Sequence, residues 1–136
     1  MLTYDNNNTQ ILQRQKLIQQ AKTTICKCIP IETQDEDSYM TTYSDFFIQI
    51  SFSEIHPLIM LYFVRRISKI QLGMLERVNK MNFAAVLGTH CVNDNADCYT
   101  FRAVIWLDTD LSAKRFLEIF NRCVEEAING FLELNV

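Results

Sequence analysis

The side chains of this 136-residue chain that could do chemistry are five cysteines and two histidines: Cys26, Cys28, Cys91, Cys98, Cys123, His56 and His90. Cys26 and Cys28 stand two apart, which in a strand would put both thiols on one face. A zinc knuckle, however, wants roughly two to four residues between its thiolates, a turn to seat them, and further sulfur or imidazole ligands. None accompanies this pair. A cysteine nucleophile needs a basic partner that lowers its pKa. His90 is the nearest base to Cys91, but sequence neighbours in a strand face opposite sides. Small thiols packed in a sheet are the simpler reading, because free cysteine is among the most buried residue types. The two histidines read as a surface residue and a turn residue. A cross-strand Cys91–Cys98 disulfide stays open for an oxidising setting.

The acids offer no more. Asp94, Asp97, Asp108 and Asp110 fall in expected loops, where each has local work in a turn or ahead of a helix cap. Their spacing does not match a calcium loop. The three glycines, at 73, 88 and 130, form no phosphate cradle. No catalytic, cofactor or metal site is expected, and the chain reads as non-enzymatic.

Composition narrows the class further. Apolar residues make up 49% and charged residues 21%, an ordinary globular balance. A chain of this length is expected to form one domain that buries about two-thirds of its unfolded surface. Net charge is −3 with a pI near 5.3. Arg65-Arg66 with Lys69 is the one basic knot, too small for the clustered cations that nucleic acid requires. The N-terminus has neither the basic nor the apolar region of a signal peptide. The longest apolar segment, 57–64, is strand-sized and far below the ~18 residues that span a bilayer. An odd cysteine count without a secretion signal points to reduced thiols. A soluble cytoplasmic protein, without membrane or nucleic-acid partners, is the expectation.

Residues 1–8 are polar and Asn-rich and read as a flexible leader ahead of a single domain over 9–136. Asn8 or Thr9 can cap a helix to about residue 22, with Ile11, Leu12, Ile18 and Ala21 near one face. That stripe is thin, so this helix is expected on a surface or against a partner rather than in the core. Over 23–32, Ile25, Ile29 and Ile31 suggest a strand, which Pro30 would confine to an edge. Residues 34–38 read as an acidic turn.

A clearer strand follows at 44–53, where Phe46, Ile48, Ile50 and Phe52 alternate with Phe47, Gln49, Ser51 and Ser53. Residues 58–65 are near-continuously apolar and read as an internal strand. From 68 to 81 the period turns helical, with Ile70, Met74, Val78 and Met81 in line and Gly73 inside. A hairpin over 83–107 comes next. A tight turn at Asp94-Asn95 would set Cys91 across from Cys98, and longer Asx-rich loops are the alternative. On its second strand Tyr99, Phe101, Ala103, Ile105 and Leu107 share a side, opposite Arg102 and Trp106. Last is a helix over 112–130, capped by Ser112 and stapled by Leu111 to Phe116. Its wide stripe runs Phe116, Phe120, Cys123, Val124, Ala127, Ile128, Phe131. The whole is expected to be α+β, a two-layer sandwich in the order α-β-β-β-α-β-β-α, with a mainly antiparallel five-stranded sheet packed against helices.

The run Leu75-Glu76-Arg77-Val78-Asn79-Lys80-Met81-Asn82-Phe83, leading straight into a hairpin and a final helix, resembles the YbjN-like family. Asn79-x-x-Asn82-Phe83 looks like that family's helix-to-strand junction, and 108–116 is similar to its lead-in to the last helix. The pattern from Thr9 to Phe131 is also similar to the class I type III secretion chaperones, which share that fold. The resemblance implies a small cytosolic homodimer that keeps a partner polypeptide competent for secretion or assembly. It implies dimerisation through the 68–81 helix and its neighbouring strands, and partner binding on apolar patches of the sheet and first helix. The candidate residues are then Ile11, Leu12 and Ile18; Leu58, Met60 and Tyr62; and Ile70, Gly73, Met74, Arg77 and Val78. Equally, Ile70, Met74 and Val78 could bury against their own sheet. A regulatory or structural subunit of a larger intracellular complex is the alternative role.

Overall fold

The computed structural model describes residues 8–53, 55–93 and 95–134. The expected leader lies outside these residues, apart from Asn8, which opens the first helix. The elements are α1 (Asn8–Cys28), β1 (Thr33–Gln34), β2 (Ser38–Tyr43), β3 (Phe46–Phe52), β4 (Leu58–Arg66), α2 (Met74–Ala84), β5 (Gly88–Asn93), β6 (Cys98–Trp106) and α3 (Ala113–Leu134). The fold is α+β with an antiparallel sheet, as expected. The sheet has six strands rather than five, in the spatial order β1-β2-β3-β4-β6-β5.

Two corrections account for the added strands. The segment 23–32 is not a strand, because α1 runs on through it to Cys28. Ala21 and Ile25, four apart, are fully buried in the core cluster, so this helix does enter the core. Packing there overrides the β preference of Thr23-Thr24-Ile25, and Pro30 ends the helix just beyond. The edge of the sheet is made instead by β1 and β2. Asp35 Oδ1 accepts the backbone N–H groups of Asp37 and Ser38 at 2.8 and 2.9 Å, and these bonds hold its carboxyl below the usual range. That turn starts β2, where Tyr39 and Thr41 bury while Met40 and Thr42 face out. Ser44 and Asp45, both at positive φ, close the β2–β3 hairpin in a two-residue loop.

α2 also differs from its expected span. It starts at Met74, six residues later than expected, because Gly73 takes a left-handed φ of 93° at its N-cap. Gly73 therefore serves backbone conformation, with nothing within 4 Å of where a Cβ would stand. The helix runs on to Ala84 and takes in Phe83, so β5 begins only at Gly88. The hairpin register follows: Cys91 pairs with Thr100, and Cys98 with Asn93. All five cysteines are free thiols. Asp94, at the centre of the expected tight turn, lies outside the described residues.

α3 is built as its stripe dictates. Ser112 Oγ accepts the Arg115 N–H at 3.1 Å, and Leu111 and Phe116 are both fully buried beside that cap. Phe116, Phe120, Cys123, Val124, Ala127 and Phe131 lie in one cluster with Phe46, Ile48, Ile50, Ile59, Leu61, Phe63, Tyr99 and Phe101. Gln20 ties α1 to this layer, since its amide donates to the Leu111 carbonyl at 3.0 Å and accepts the Leu111 N–H at 2.7 Å. Gly130 does not end the helix, which continues to Leu134. It sits where α3 crosses Tyr99 and His90, and a Cβ there would meet the tyrosine oxygen and stand 2.6 Å from His90 Nδ1.

Gly130→Ala therefore tests that crossing. On an open helix the change gains about 1 kcal/mol. Here overpacking of about 1–3 kcal/mol opposes it, and a net loss is expected as a lower denaturation midpoint. A raised midpoint would contradict the close approach.

Candidate protein-binding surfaces

Side-chain alternation gives the sheet two unlike faces. One is sealed by the helices. The other has no element over it among the described residues, and its rows follow from the strand registers. Met40, Gln49, Tyr62, Arg102 and Thr89 form one row across five strands. Ser51, Met60 and Val104 form the row on one side, and Thr42, Phe47, Val64, Thr100 and Cys91 the row on the other. Trp106 lies beyond, paired with Leu58 and 5.9 Å from the His56 ring. Phe47 is 71% exposed and Trp106 48%, with Met40 and Val104 also exposed. Large apolar side chains gathered on an uncovered face mark an interaction surface.

The middle of that face is organised around sulfur and cation. Tyr62 Oη lies 3.5 Å from Met60 Sδ, Arg102 Nη2 lies 3.7 Å from the same sulfur, and the Arg102 guanidinium stands 5.8 Å from the Tyr62 ring. No carboxylate among the described residues forms an ion pair with Arg102.

Two further surfaces flank the sheet. Between α1 and the β2–β3 end of the sheet runs a groove of about 460 Å³. Ile11, Ile18 and Phe52 supply its apolar lining, Arg14 and Lys22 stand on the α1 side, and Glu36 and Asp37 stand on the other. Lys22 spans it, with Nζ 2.9 Å from the Glu36 carbonyl and 5.0 Å from the centre of the Phe52 ring. α2 is apolar on two sides. Met74 and Val78 bury inward, while Leu75 and Phe83 are 67% and 98% exposed, and Leu72 and Val86, just beyond the two ends of the helix, are exposed as well.

No protein-family model matches this sequence, and no curated protein matches it. Solved structures do match in shape. YbjN from E. coli superposes with a TM-score of 0.62 at 7% identity, over 85% of this chain and 87% of its own. The chaperone–effector complex of HopA1 and SchA gives 0.59 at 12% identity, over 90% of this chain and 96% of the matched chain. The Yersinia pestis type III secretion chaperone SycH, in complex with a stable fragment of YscM2, gives 0.56 at 13%, over 85% and 98%. The fold is the one that YbjN and these secretion chaperones share.

Within that fold the sequence-derived candidates fall into three places. Ile11 and Ile18 line the α1 groove, and Leu12 is exposed beside it. Met60 and Tyr62 sit at the centre of the open face, with Leu58 buried at its Trp106 end. Met74 and Val78 are core residues of this chain, Ile70 packs partly against that core, and Gly73 and Arg77 are exposed. Phe47, Val104 and Trp106 were legible as the outward set of their strands, yet nothing in the sequence says which sheet face stays bare. Phe83 was hidden by the helix boundary, since it reads equally well as a strand residue, whereas Leu75 lay inside the expected helix.

Cys26 and Cys28 lie on a helix, not a strand, so they do not share a face; Cys26 is exposed and Cys28 half-buried. Of the five thiols Cys123 alone is buried, and burial pushes its pKa up to about 12. Among the described residues no group of three or more Cys, His, Asp and Glu side chains could hold a metal.

His90 departs furthest from its expected place. It is 5% exposed rather than a surface residue. Its Nδ1 lies 2.6 Å from Tyr99 Oη, and its Nε2 lies 3.6 Å from Glu126 Oε1. The carboxylate favours the proton on Nε2, which leaves Nδ1 to accept from Tyr99. On the outer edge of β5, the Asn82 side-chain amide bonds both the N–H and the C=O of His90, at 2.6 and 2.9 Å. One amide thus stands in for a strand partner and pins the end of α2. Of the motif Asn79-x-x-Asn82, it is Asn82 that holds the junction.

Desolvation lowers the His90 pKa, and Glu126 only partly offsets it. A second proton on the ring would also require Tyr99 to give up its one acceptor at a fully buried site. The folded state therefore resists protonation that the unfolded chain accepts near pH 6.5. This contribution to stability is present above that pH and is lost as pH falls through the lower folded value. Denaturation midpoints should fall more between pH 7.5 and 5.5 for the native chain than for His90→Gln, which keeps an acceptor for Tyr99. Parallel pH profiles would show that His90 is not the group responsible.

Proposed function

We propose that this protein is a non-enzymatic chaperone or adaptor, a homodimer that holds a partner polypeptide on apolar sheet and helix surface. The observation that carries the proposal is the bare face of the sheet. One side of the sheet is buried under the helices, and the other side presents Phe47, Met60, Tyr62, Val104 and Trp106 with no element among the described residues to cover them. The fold shared with chaperones whose structures were solved in complex with an effector or with a stable fragment of a partner supports a polypeptide as the cover. The α1 groove offers a second seat for the same polypeptide.

The outer stripe of α2 is the dimer surface in this proposal. Leu75 and Phe83, with Leu72 and Val86 beside them, would meet the same residues of a second copy across a two-fold axis. Met74 and Val78 support that helix from inside. Free thiols, and the lack among the described residues of any helix long and apolar enough to cross a membrane, agree with a reducing cytoplasmic setting.

The test begins with mass. Light scattering should give a species near twice the 15.9 kDa of the chain, and Leu75→Asp with Phe83→Asp should give the monomer with its helical signal intact. Met74→Asp would unfold the core instead, and does not test the interface. A native chain that is monomeric, with no polypeptide retained on copurification, would overturn the proposal. A chain found only within a fixed larger assembly would favour the subunit role.

A further inference from the structure

The six strands contain no aspartate and no glutamate, although the chain has sixteen of these residues against thirteen lysines and arginines. Among the described residues the acids lie in turns and loops and on helices. Alternation puts two cations, Arg66 and Arg102, on the open face, while Arg65 points the other way and packs 4.0 Å from the Phe131 ring. An acidic protein thus carries a cationic, apolar face. Arg102 sits in the central row of that face. Its guanidinium rests on Tyr62 and Met60 and has no carboxylate partner among the described residues.

Charge left unpaired among apolar side chains is costly to cover without an opposite charge. An all-apolar occupant would strip water from Arg102 and return nothing. A lysine-bearing occupant would meet repulsion. An occupant with a carboxylate at that point would form a charge-assisted, bidentate pair that water no longer screens. Next to it, Val104 and Trp106 follow on the same strand and the same face, so Trp106 stands roughly 13 Å from Arg102 at about 3.3 Å per residue. In an extended segment, side chains two and four residues apart also share a face.

Resting on the reading of the open face as a polypeptide site, we propose that the face selects an extended segment with an aspartate or glutamate over Arg102 and large apolar side chains two and four residues from it. Arg102 is the specificity-determining residue. Met60, Tyr62, Val104 and Trp106 supply the apolar contact.

The test uses peptide arrays as the probe. Dodecamers of Ser and Thr carry one Glu with Leu, Val, Phe or Trp two and four residues after it, on the same face of an extended chain, and matched arrays carry Gln or Lys in place of Glu. The full native chain should bind the Glu arrays at least about tenfold more tightly than the Gln arrays, with the margin shrinking as salt rises, and should bind the Lys arrays least. Arg102→Gln should level Glu and Gln binding without lowering Gln binding, and Arg102→Lys should retain part of the margin. Trp106→Asp should weaken all arrays. Equal binding of Glu and Gln arrays by the native chain, or an unchanged margin in Arg102→Gln, overturns the selection while leaving the polypeptide site standing. Absence of binding to every array, with Trp106→Asp indistinguishable from the native chain, overturns both. Loss of the dimer in Trp106→Asp would assign the face to a second copy and so overturn the proposal.

Discussion

A sheet with side chains of period two can put only half of its outward positions under one layer of helices. In this protein that constraint organises nearly everything else. The buried set of β3, β4 and β6 is continuous with the stripes of α1, α2 and α3, so a slip of one residue in any central strand would exchange the whole set for its opposite. Such a slip would bury Arg102 and expose Tyr99 or Phe101. Register is therefore held firmly, and the bare face is fixed with it. Its residues are placed by the same pairings that place the core.

Beyond their buried apolar area, the helices are tied in place by two side-chain amides. Gln20 grips both backbone groups of Leu111 and so joins α1 to the start of α3. Asn82 grips both backbone groups of His90 and so joins α2 to the edge of β5. The second joint lies directly over the His90–Tyr99 pair, against which Gly130 brings α3 close enough to exclude any larger residue. One edge of the sheet is thereby closed to strand addition at His90, while α2 is held with its outer apolar stripe turned away. The joint and the exposed stripe are consequences of the same packing.

Much of this was legible in the chain itself. Phe46-x-Ile48-x-Ile50-x-Phe52 and Tyr99-x-Phe101-x-Ala103-x-Ile105 can be satisfied only as half-buried strands, and the stripe from Phe116 to Phe131 only as a covering helix. What misled were segments where local preference and tertiary packing disagree. Thr23-Thr24-Ile25 prefers a strand, but Ala21 and Ile25 find a better partner in the core as one helical turn. The start of α2 depends on the left-handed Gly73, which a period of four across Ile70 and Met74 conceals. The site was half visible: Met60 and Tyr62 stood out in an apolar strand, but that Phe47, Val104 and Trp106 join them depends on the absence of a second helical layer, which no local pattern encodes. His90 gave no signal, since its burial rests on Asn82, Tyr99, Glu126 and Gly130 from three other elements.

Trp106 is the sole tryptophan of the chain and stands on the open face. Its fluorescence therefore reports on that face alone. When a polypeptide retained by the protein is added to the purified chain, the emission should move to shorter wavelength and its quenching by acrylamide should fall. A complex of demonstrated mass in which Trp106 emission and quenching are unchanged would place the polypeptide elsewhere and contradict the account.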